Sequence, residues 1–205
     1  MDRFEIGKGE FLLNGSPFRV YSGAIHYFRV PREYWRDRLQ KLKDCGFNTV
    51  ETYVAWNAHM PRRGRFITDG MLDLGAFLDL AWDLGLYAIV RPGPYICSEW
   101  EAGGLPWWLM KGDTRLRCMD KDFLESVDEY FDLLMPILKP RQLTQGGNII
   151  LMQVENEYGS YGDDLSYMDY IRDALLKRGI EMPLFTSDGD CRWMLTGGNA
   201  NGVLR

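Results

Sequence analysis

The chain is poor in the residues that hold metals. It has only two histidines, His26 and His59, and four cysteines, Cys45, Cys97, Cys118 and Cys191. The cysteines are widely scattered and form no C-x-x-C pair, so a zinc site is not expected and the thiols read as reduced and mostly structural. No apolar run approaches the roughly 20 residues that span a bilayer. The N-terminus, Met1-Asp2-Arg3-Phe4, lacks the basic start and apolar stretch of a signal peptide, which predicts a cytoplasmic location unless a leader has been removed. There is no excess of basic charge. The net charge of −5 argues against nucleic acid or an anionic membrane as the main partner. No strand is followed by the glycine fingerprint of a dinucleotide site. Internal repeats, linkers and low-complexity segments are also missing.

What is present is a folding composition. The 205 residues are 46% apolar and 26% charged, enough for one soluble domain with a substantial core. Aromatic residues make up 14%, seven of them Trp, which suits either a large core or a platform for the C–H faces of sugar rings.

Residues 3–13 followed by Asn14-Gly15 read as a hairpin, because Asn-Gly supplies the positive φ angles of a type I′ turn. Pro17 to Ile25 then reads as the first buried strand. Pro31 opens a helix with Trp35, Leu39 and Leu42 at helical spacing and Gly46 as its cap. Phe47 to Tyr53 is the second strand. A helix over about 71–84 follows, then Leu86 to Val90 as the third strand. The long segment Ile96 to Trp108 reads as a functional loop. Asp120 caps a helix that runs to about Leu138, with Pro136 bending its last turn. Ile149 to Met152 is the fourth strand, apolar enough to be buried on both faces. A helix at about 164–178 and a fifth strand, Pro183 to Ser187, complete the series. Asp163, Asp164 and Asp169 read as a solvated face and a cap. Asp188 to Arg205 carries no clear element.

This β-α alternation predicts a parallel sheet with crossover helices. Polar and aromatic clusters fall at the ends of several strands, which favours a (β/α)8 barrel over an open sheet, since a barrel gathers its strand ends around one mouth. A complete barrel takes eight units and about 250 residues. The expected fold class is therefore α/β: a partial (β/α)8 TIM barrel of about five βα units plus an N-terminal β-hairpin, with residues 1–205 forming its N-terminal portion.

The fourth strand ends in Gln153-Val154-Glu155-Asn156-Glu157-Tyr158-Gly159. Carboxylates cannot sit unpaired in an apolar strand, so they belong at its carboxyl end, where such sheets bind ligands. Strand alternation would point Glu155 and Glu157 one way and Asn156 the other, unless a bulge intervenes. Glu99 and Glu101 lie among Trp residues on another strand-end loop. A carboxyl group near aromatic walls loses hydration and becomes a proton donor near neutral pH, and opposite an ionised carboxylate it suits glycosidic bond cleavage.

Four segments in order carry a more specific signal: Ser22 to Tyr27 (SGAIHY), Thr52 to His59 (TYVAWNAH), Arg91 to Trp100 (RPGPYICSEW) with Gly103-Gly104-Leu105-Pro106, and Gln153 to Gly159 (QVENEYG). They resemble the β-galactosidases of glycoside hydrolase family 35, from about residue 4 to about 187. That resemblance implies a (β/α)8 catalytic barrel followed by β-rich domains, and removal of terminal β-linked galactose with retention of configuration. It implies Glu157 as the acid/base, Asn156 as the ligand of the sugar 2-hydroxyl, and Tyr53 and Glu99 as ligands of galactose hydroxyls. No metal and no organic cofactor are called for.

The chain departs from the family pattern twice. Met60 stands where W-N-x-H is usually followed by Glu, either a neutral change at the rim or a lost polar contact near the sugar. The family's nucleophile is a glutamate on a later strand, and no Glu follows Glu181 here. A retaining enzyme needs a second carboxyl about 5–5.5 Å from the first. A longer parent chain is expected to supply it, and residues 1–205 alone are expected not to turn over substrate. Two alternatives stay open: an inactive truncated product with at most weak sugar binding, and a related barrel acting on another β-glycan. Glu155 is left between a solvated acid and a neighbour whose like charge raises the pKa of Glu157. Glu99 has as its alternative a loop acid neutralised by Arg91. For His26 and His59, satisfied core or rim positions are preferred to a direct role, and Trp100, Trp107 and Trp108 divide between pocket wall and core.

Overall fold

A computed structural model describes residues 2–205. The first three strands, β1 (Phe4–Ile6), β2 (Phe11–Leu13) and β3 (Ser16–Phe18), form an antiparallel meander. Asn14 and Gly15 are its second turn, at φ 53° and 77°, the conformation a two-residue type I′ turn demands. This corrects two expectations. The turn joins β2 to β3, so the N-terminal unit has three strands and is not a lone hairpin. Pro17 and Phe18 belong to that meander, and the barrel strand is only β4 (Ser22–Ala24). Pro17 has no N–H to give, which confines it to an edge such as β3.

The main sheet is parallel, in the order β4, β5 (Thr49–Tyr53), β6 (Tyr87–Arg91), β7 (Ile149–Gln153) and β8 (Leu184–Phe185). Sequential neighbours all pair, as in one arc of a (β/α)8 barrel. Every residue of β7 is buried. Helices cover the outside: α1 (Trp35–Asp44), the one-turn α2 (Trp56–His59), α3 (Leu74–Asp83), α4 (Lys121–Leu138) and α5 (Leu165–Lys177). The Asp120 carboxylate accepts from the N–H groups of Asp122 and Phe123 at 3.1 and 3.2 Å, capping α4, and Asp164 does the same for α5 at 3.0 and 3.3 Å. Phe123, Val127, Phe131 and Leu134 are all buried, the face that their spacing predicts.

The last eighteen residues are more ordered than the sequence suggests. A short helix, α6 (Arg192–Gly197), packs on the turn that follows β7. Leu204 then pairs in parallel with Phe185, its N–H donating to Leu184 O at 3.0 Å while its carbonyl accepts from Thr186 N at 2.8 Å. The sheet thus extends one pair past the fifth strand. Asp169 fixes this return: it accepts from Asn201 N at 2.9 Å and Asn201 Nδ2 at 2.6 Å and pairs with Arg172. It is a tie between α5 and the C-terminal segment, not a solvated face. Among the described residues no helix is long and apolar enough to cross a membrane, and all four cysteines are free.

Candidate active site at the strand ends

The register sets the site. Tyr53 at the end of β5 pairs with Arg91 at the end of β6, and Met152 beside Val90 brings Gln153 next to Arg91. With a side-chain period of two, Glu51, Tyr53, Arg91 and Gln153 share one face. Arg91 ties them together. Its Nη1 meets Glu51 Oε1 at 2.9 Å, its Nη2 donates to Asn156 Oδ1 at 2.7 Å, its Nε donates to Gln153 Oε1, and its guanidinium lies 4.1 Å from the Tyr53 ring centre. Arg91 is therefore neutralised by Glu51. It makes no bond to Glu99, which removes the alternative of a loop acid neutralised by Arg91.

Asn156 is buried and its orientation is fixed. Its Oδ1 receives three donors: Arg91 Nη2, Tyr53 Oη at 3.2 Å and Gln153 Nε2 at 3.2 Å. Swapping amide oxygen and nitrogen would set donor against donor twice, at Arg91 and at Gln153. The Nδ2 amino group has no partner among the described residues, so Asn156 is left with N–H donors to offer. Tyr53 is half-buried. Burial pushes its hydroxyl up to about 12 against the opposing charge of Arg91, with the carboxylates of Glu51 and Glu157 adding to the rise. It stays a neutral donor at working pH.

The three residues after Val154 do not continue the strand. Glu155 and Glu157 take φ of 57° and 47°, left-handed values that cost an L-residue about 1–2 kcal/mol each. Alternation therefore fails here: Glu155 and Asn156 turn inward and Glu157 alone is exposed. The Glu157 carboxylate makes no hydrogen bond or ion pair among the described residues. Its backbone N–H donates to Ser187 O at 3.0 Å, beyond the end of β8.

Glu155 is neither a solvated acid nor an uncompensated neighbour of Glu157. Arg117 grips both its oxygens, at 3.1 and 2.7 Å, and Tyr167 Oη donates to Oε1 at 2.8 Å. Side-chain exposure is 6% for Arg117 and 0% for Glu155, so this pair is fully internal. Burial alone would weaken the charge on Arg117, but the adjacent carboxylate outweighs it and raises its affinity for the proton. Asp188 is the neighbouring acid outside this pair. It accepts from Gly159 N at 2.7 Å, and burial, with the nearby charges of Glu155 and Glu157, pushes its carboxyl up.

Glu99 sits on a different loop and no hydrogen bond or ion pair joins it to Tyr53, Asn156 or Glu157. Cys97, Ser98 and Glu99 run left-handed in succession, at φ 53°, 55° and 43°. Arg29 holds this run by donating to the carbonyls of Ser98 and Glu99. Trp100 anchors it too, its Nε1 donating to Asn57 Oδ1 at 2.8 Å with its ring edge-on to Phe28 at 4.8 Å. The Glu99 side chain is exposed and free of polar partners among the described residues.

The histidines are structural in different ways. His59 is buried, donates from Nδ1 to Ile67 O at 2.7 Å and accepts at Nε2 from the Tyr27 hydroxyl, and burial lowers it to about 4. His26 stacks on Phe28 beside Tyr53, and burial with the charge of Arg29 lowers it to about 4 as well. Met60 is buried, its sulfur accepting from Trp56 Nε1 at 3.4 Å. It is a core position and neither a rim residue nor a gap facing the sugar. Trp108 donates to Met60 O at 2.9 Å, while Trp107 is 63% exposed.

Sequence reasoning passed over Arg117 and gave Arg91 only as a possible counter-ion of Glu99. Arg117 lies in an irregular stretch with no periodicity, and only the folded chain brings it to Glu155. Arg91 carried a weak signal, a lone cation at the end of an apolar strand.

The sequence matches the model of glycosyl hydrolases family 35 over residues 10–204. Human beta-galactosidase-1-like protein 3 is 55% identical over 200 residues, which are 97% of this chain and 30% of the relative. The beta-galactosidase of Felis catus is 47% identical over 207 residues, 98% of this chain and 30% of that protein. The chain thus spans about a third of the length of these relatives. Among solved structures, a GH5_18 protein from Streptomyces cattleya in complex with GlcNAc aligns with a TM-score of 0.67 at 18% identity, covering 82% of this chain and 44% of that one. An exo-beta-1,4-mannosidase from Opitutaceae bacterium strain TAV5 aligns at 0.66 and 21% identity, covering 85% and 32%. These likenesses concern the fold, a partial (β/α)8 barrel. The family match extends over nearly the whole sequence, and the chain belongs to glycosyl hydrolases family 35.

Proposed function

We propose that these residues are the N-terminal portion of the catalytic barrel of a retaining β-galactosidase. Glu157 is its acid/base, and Tyr53, Glu99 and Asn156 bind the galactose hydroxyls. The observation that carries this reading is the division of labour after β7. Glu155 is locked in an internal ion pair, Asn156 keeps N–H donors without a partner among the described residues, and Glu157 alone stands exposed and unpaired. Names of relatives with 47–55% identity support galactose as the sugar.

In this reading Glu157 donates its proton to the glycosidic oxygen as the bond to the anomeric carbon breaks. A second carboxylate attacks that carbon from the opposite face and forms a covalent glycosyl ester. Glu157, now ionised, takes a proton from water, which attacks the ester and releases galactose. Asn156 donates to the 2-hydroxyl, a contact that tightens as positive charge develops on the ring. Two acids that flank the Glu157 turn are held by other groups: Glu155 by Arg117, and Asp188, which accepts from the N–H of Gly159. The nucleophile therefore comes from chain beyond residue 205, together with the remaining barrel strands and β-rich domains, and the 205-residue chain alone does not turn over. Galactoside hydrolysis measured on the 205-residue chain and on its longer parent tests this. Activity in the parent only is expected. Full activity in the short chain refutes the external nucleophile, and a parent that cleaves only other β-glycosides refutes the sugar assignment.

A further inference from the structure

We propose that Arg117 is the positioning residue of Glu157, acting through the backbone that joins Asn156 to Glu157. The inference rests on the acid/base reading of Glu157 and extends it to a residue that touches neither substrate nor the acid's carboxyl group.

Glu155 and Glu157 are both left-handed, with no glycine between them. Such backbone persists only where surrounding contacts over-determine it. Those contacts converge on one peptide unit. Its oxygen, Asn156 O, accepts from Arg117 Nη2 at 2.7 Å, and its nitrogen, Glu157 N, donates to Ser187 O at 3.0 Å. A peptide is planar, so pinning both of its ends fixes the plane from which the Glu157 side chain departs. The same Arg117 holds Glu155, whose Oε2 also accepts from Asn156 N at 2.7 Å. One guanidinium thus controls the residue before the turn and the peptide that follows it.

Arg117 is itself held rigidly. Its guanidinium carbon lies 3.9 Å from the ring centre of Tyr95 and 4.4 Å from that of Tyr161, between two aromatic faces. Tyr95 belongs to the segment after β6 and Tyr161 to the turn after Glu157, so the clamp joins two catalytic-face loops. A planar fork serves two acceptors in fixed directions. A lysine ammonium would keep the charge without that geometry.

A role in stability alone and a role in positioning predict different outcomes for two variants of the full-length protein. Arg117→Met with Glu155→Met removes the ion pair without leaving a buried charge unpaired, although it strands the Tyr167 hydroxyl and the Asn156 N–H and carbonyl that the pair had satisfied. Arg117→Lys keeps a charge for Glu155 but loses the simultaneous grip on Asn156 O. The double variant should unfold cooperatively at a lowered midpoint, and the positioning role is read from kinetics measured below that midpoint. Positioning predicts, for both variants, kcat on lactose lowered at least tenfold, KM changed less than threefold, and a smaller kcat loss on an activated aryl galactoside, which needs little proton donation. If the double variant does not fold, the lysine variant alone decides by the same split. Wild-type kcat on lactose in either folded variant, or equal loss on both substrates, overturns the proposal. A wild-type protein without galactosidase activity, or a Glu157→Gln protein with full activity, refutes the underlying acid/base reading instead.

Discussion

Asn156 separates holding the site together from working in it. Its Oδ1 accepts from Arg91, Tyr53 and Gln153, while its amino group is free to bind. Asn156→Ala removes the shared acceptor. Gln153 is fully buried, and its stranded amide costs about 1–3 kcal/mol; the Tyr53 and Arg91 donors lose less because they are partly exposed. A total loss of about 2–4 kcal/mol is expected. Asn156→Asp behaves differently. A carboxylate accepts from all three donors, and Arg91 at 2.7 Å, which it would share with Glu51, offsets part of the cost of burying its charge. Its unfolding free energy should fall by less than that of Asn156→Ala. It has no N–H to donate to the sugar, however. Removing one donor aimed at developing charge costs about 10²–10³ in rate, or roughly 3–4 kcal/mol of barrel-mouth binding to the transition state. Chemical denaturation of both variants, with kcat/KM on a galactoside in the full-length protein, measures the two effects. An Asp variant as unstable as the Ala variant, or one that retains activity within threefold of wild type, would refute this account of Asn156.

His59 is held neutral, at about 4 against an ordinary 6.5, so the unfolded chain binds more protons below pH 6.5 and stability falls as pH drops from 6.5 to 4. The full loss is worth about 3 kcal/mol. A pH series of denaturation curves should show it, and His59→Gln, whose amide oxygen can still accept from Tyr27, should make it shallower while leaving the share of His26, which is lowered likewise. Gly159 follows the acid by two residues and packs under α6, where an added Cβ would fall 1.7 Å from Met194 O. Gly159→Ala should therefore cost about 1–3 kcal/mol and loosen α6, read by denaturation and by hydrogen exchange at residues 192–197; an unchanged midpoint would contradict that packing. In the 205-residue chain β4 leaves an unpaired edge, so self-association is expected in sedimentation, and a monomer at high concentration would count against it.

The apolar strands and the amphipathic spacing of α3, α4 and α5 were legible from the sequence because burial acts locally and periodically. Gly46 and the Asp120 and Asp164 caps marked helix ends for the same reason. The Asn14-Gly15 turn was legible too, but not which strands it joins, since turn chemistry says nothing of the partner. α6 and the Leu204 pairing were hidden because a short helix and a single bridge have too few residues for a period. At the site, strand alternation misleads where the backbone turns left-handed at Glu155 and Glu157. Whether Glu155 is a free charge or a locked one depends on Arg117, thirty-eight residues away in the chain. Met60 likewise looked like a site change until packing placed its sulfur against Trp56.

The central claim is that Glu157 is the proton donor to the leaving group. Its exposed, unpaired carboxylate beside the fixed Asn156 amide is the geometry behind it. The most direct test is Glu157→Gln in the full-length protein, assayed on lactose and on an activated aryl galactoside. The variant should lose at least 10²-fold in kcat/KM on lactose, in keeping with general acid catalysis, and far less on the aryl substrate, whose leaving group departs without a proton. Equal losses on both substrates, or wild-type turnover of lactose, would contradict it.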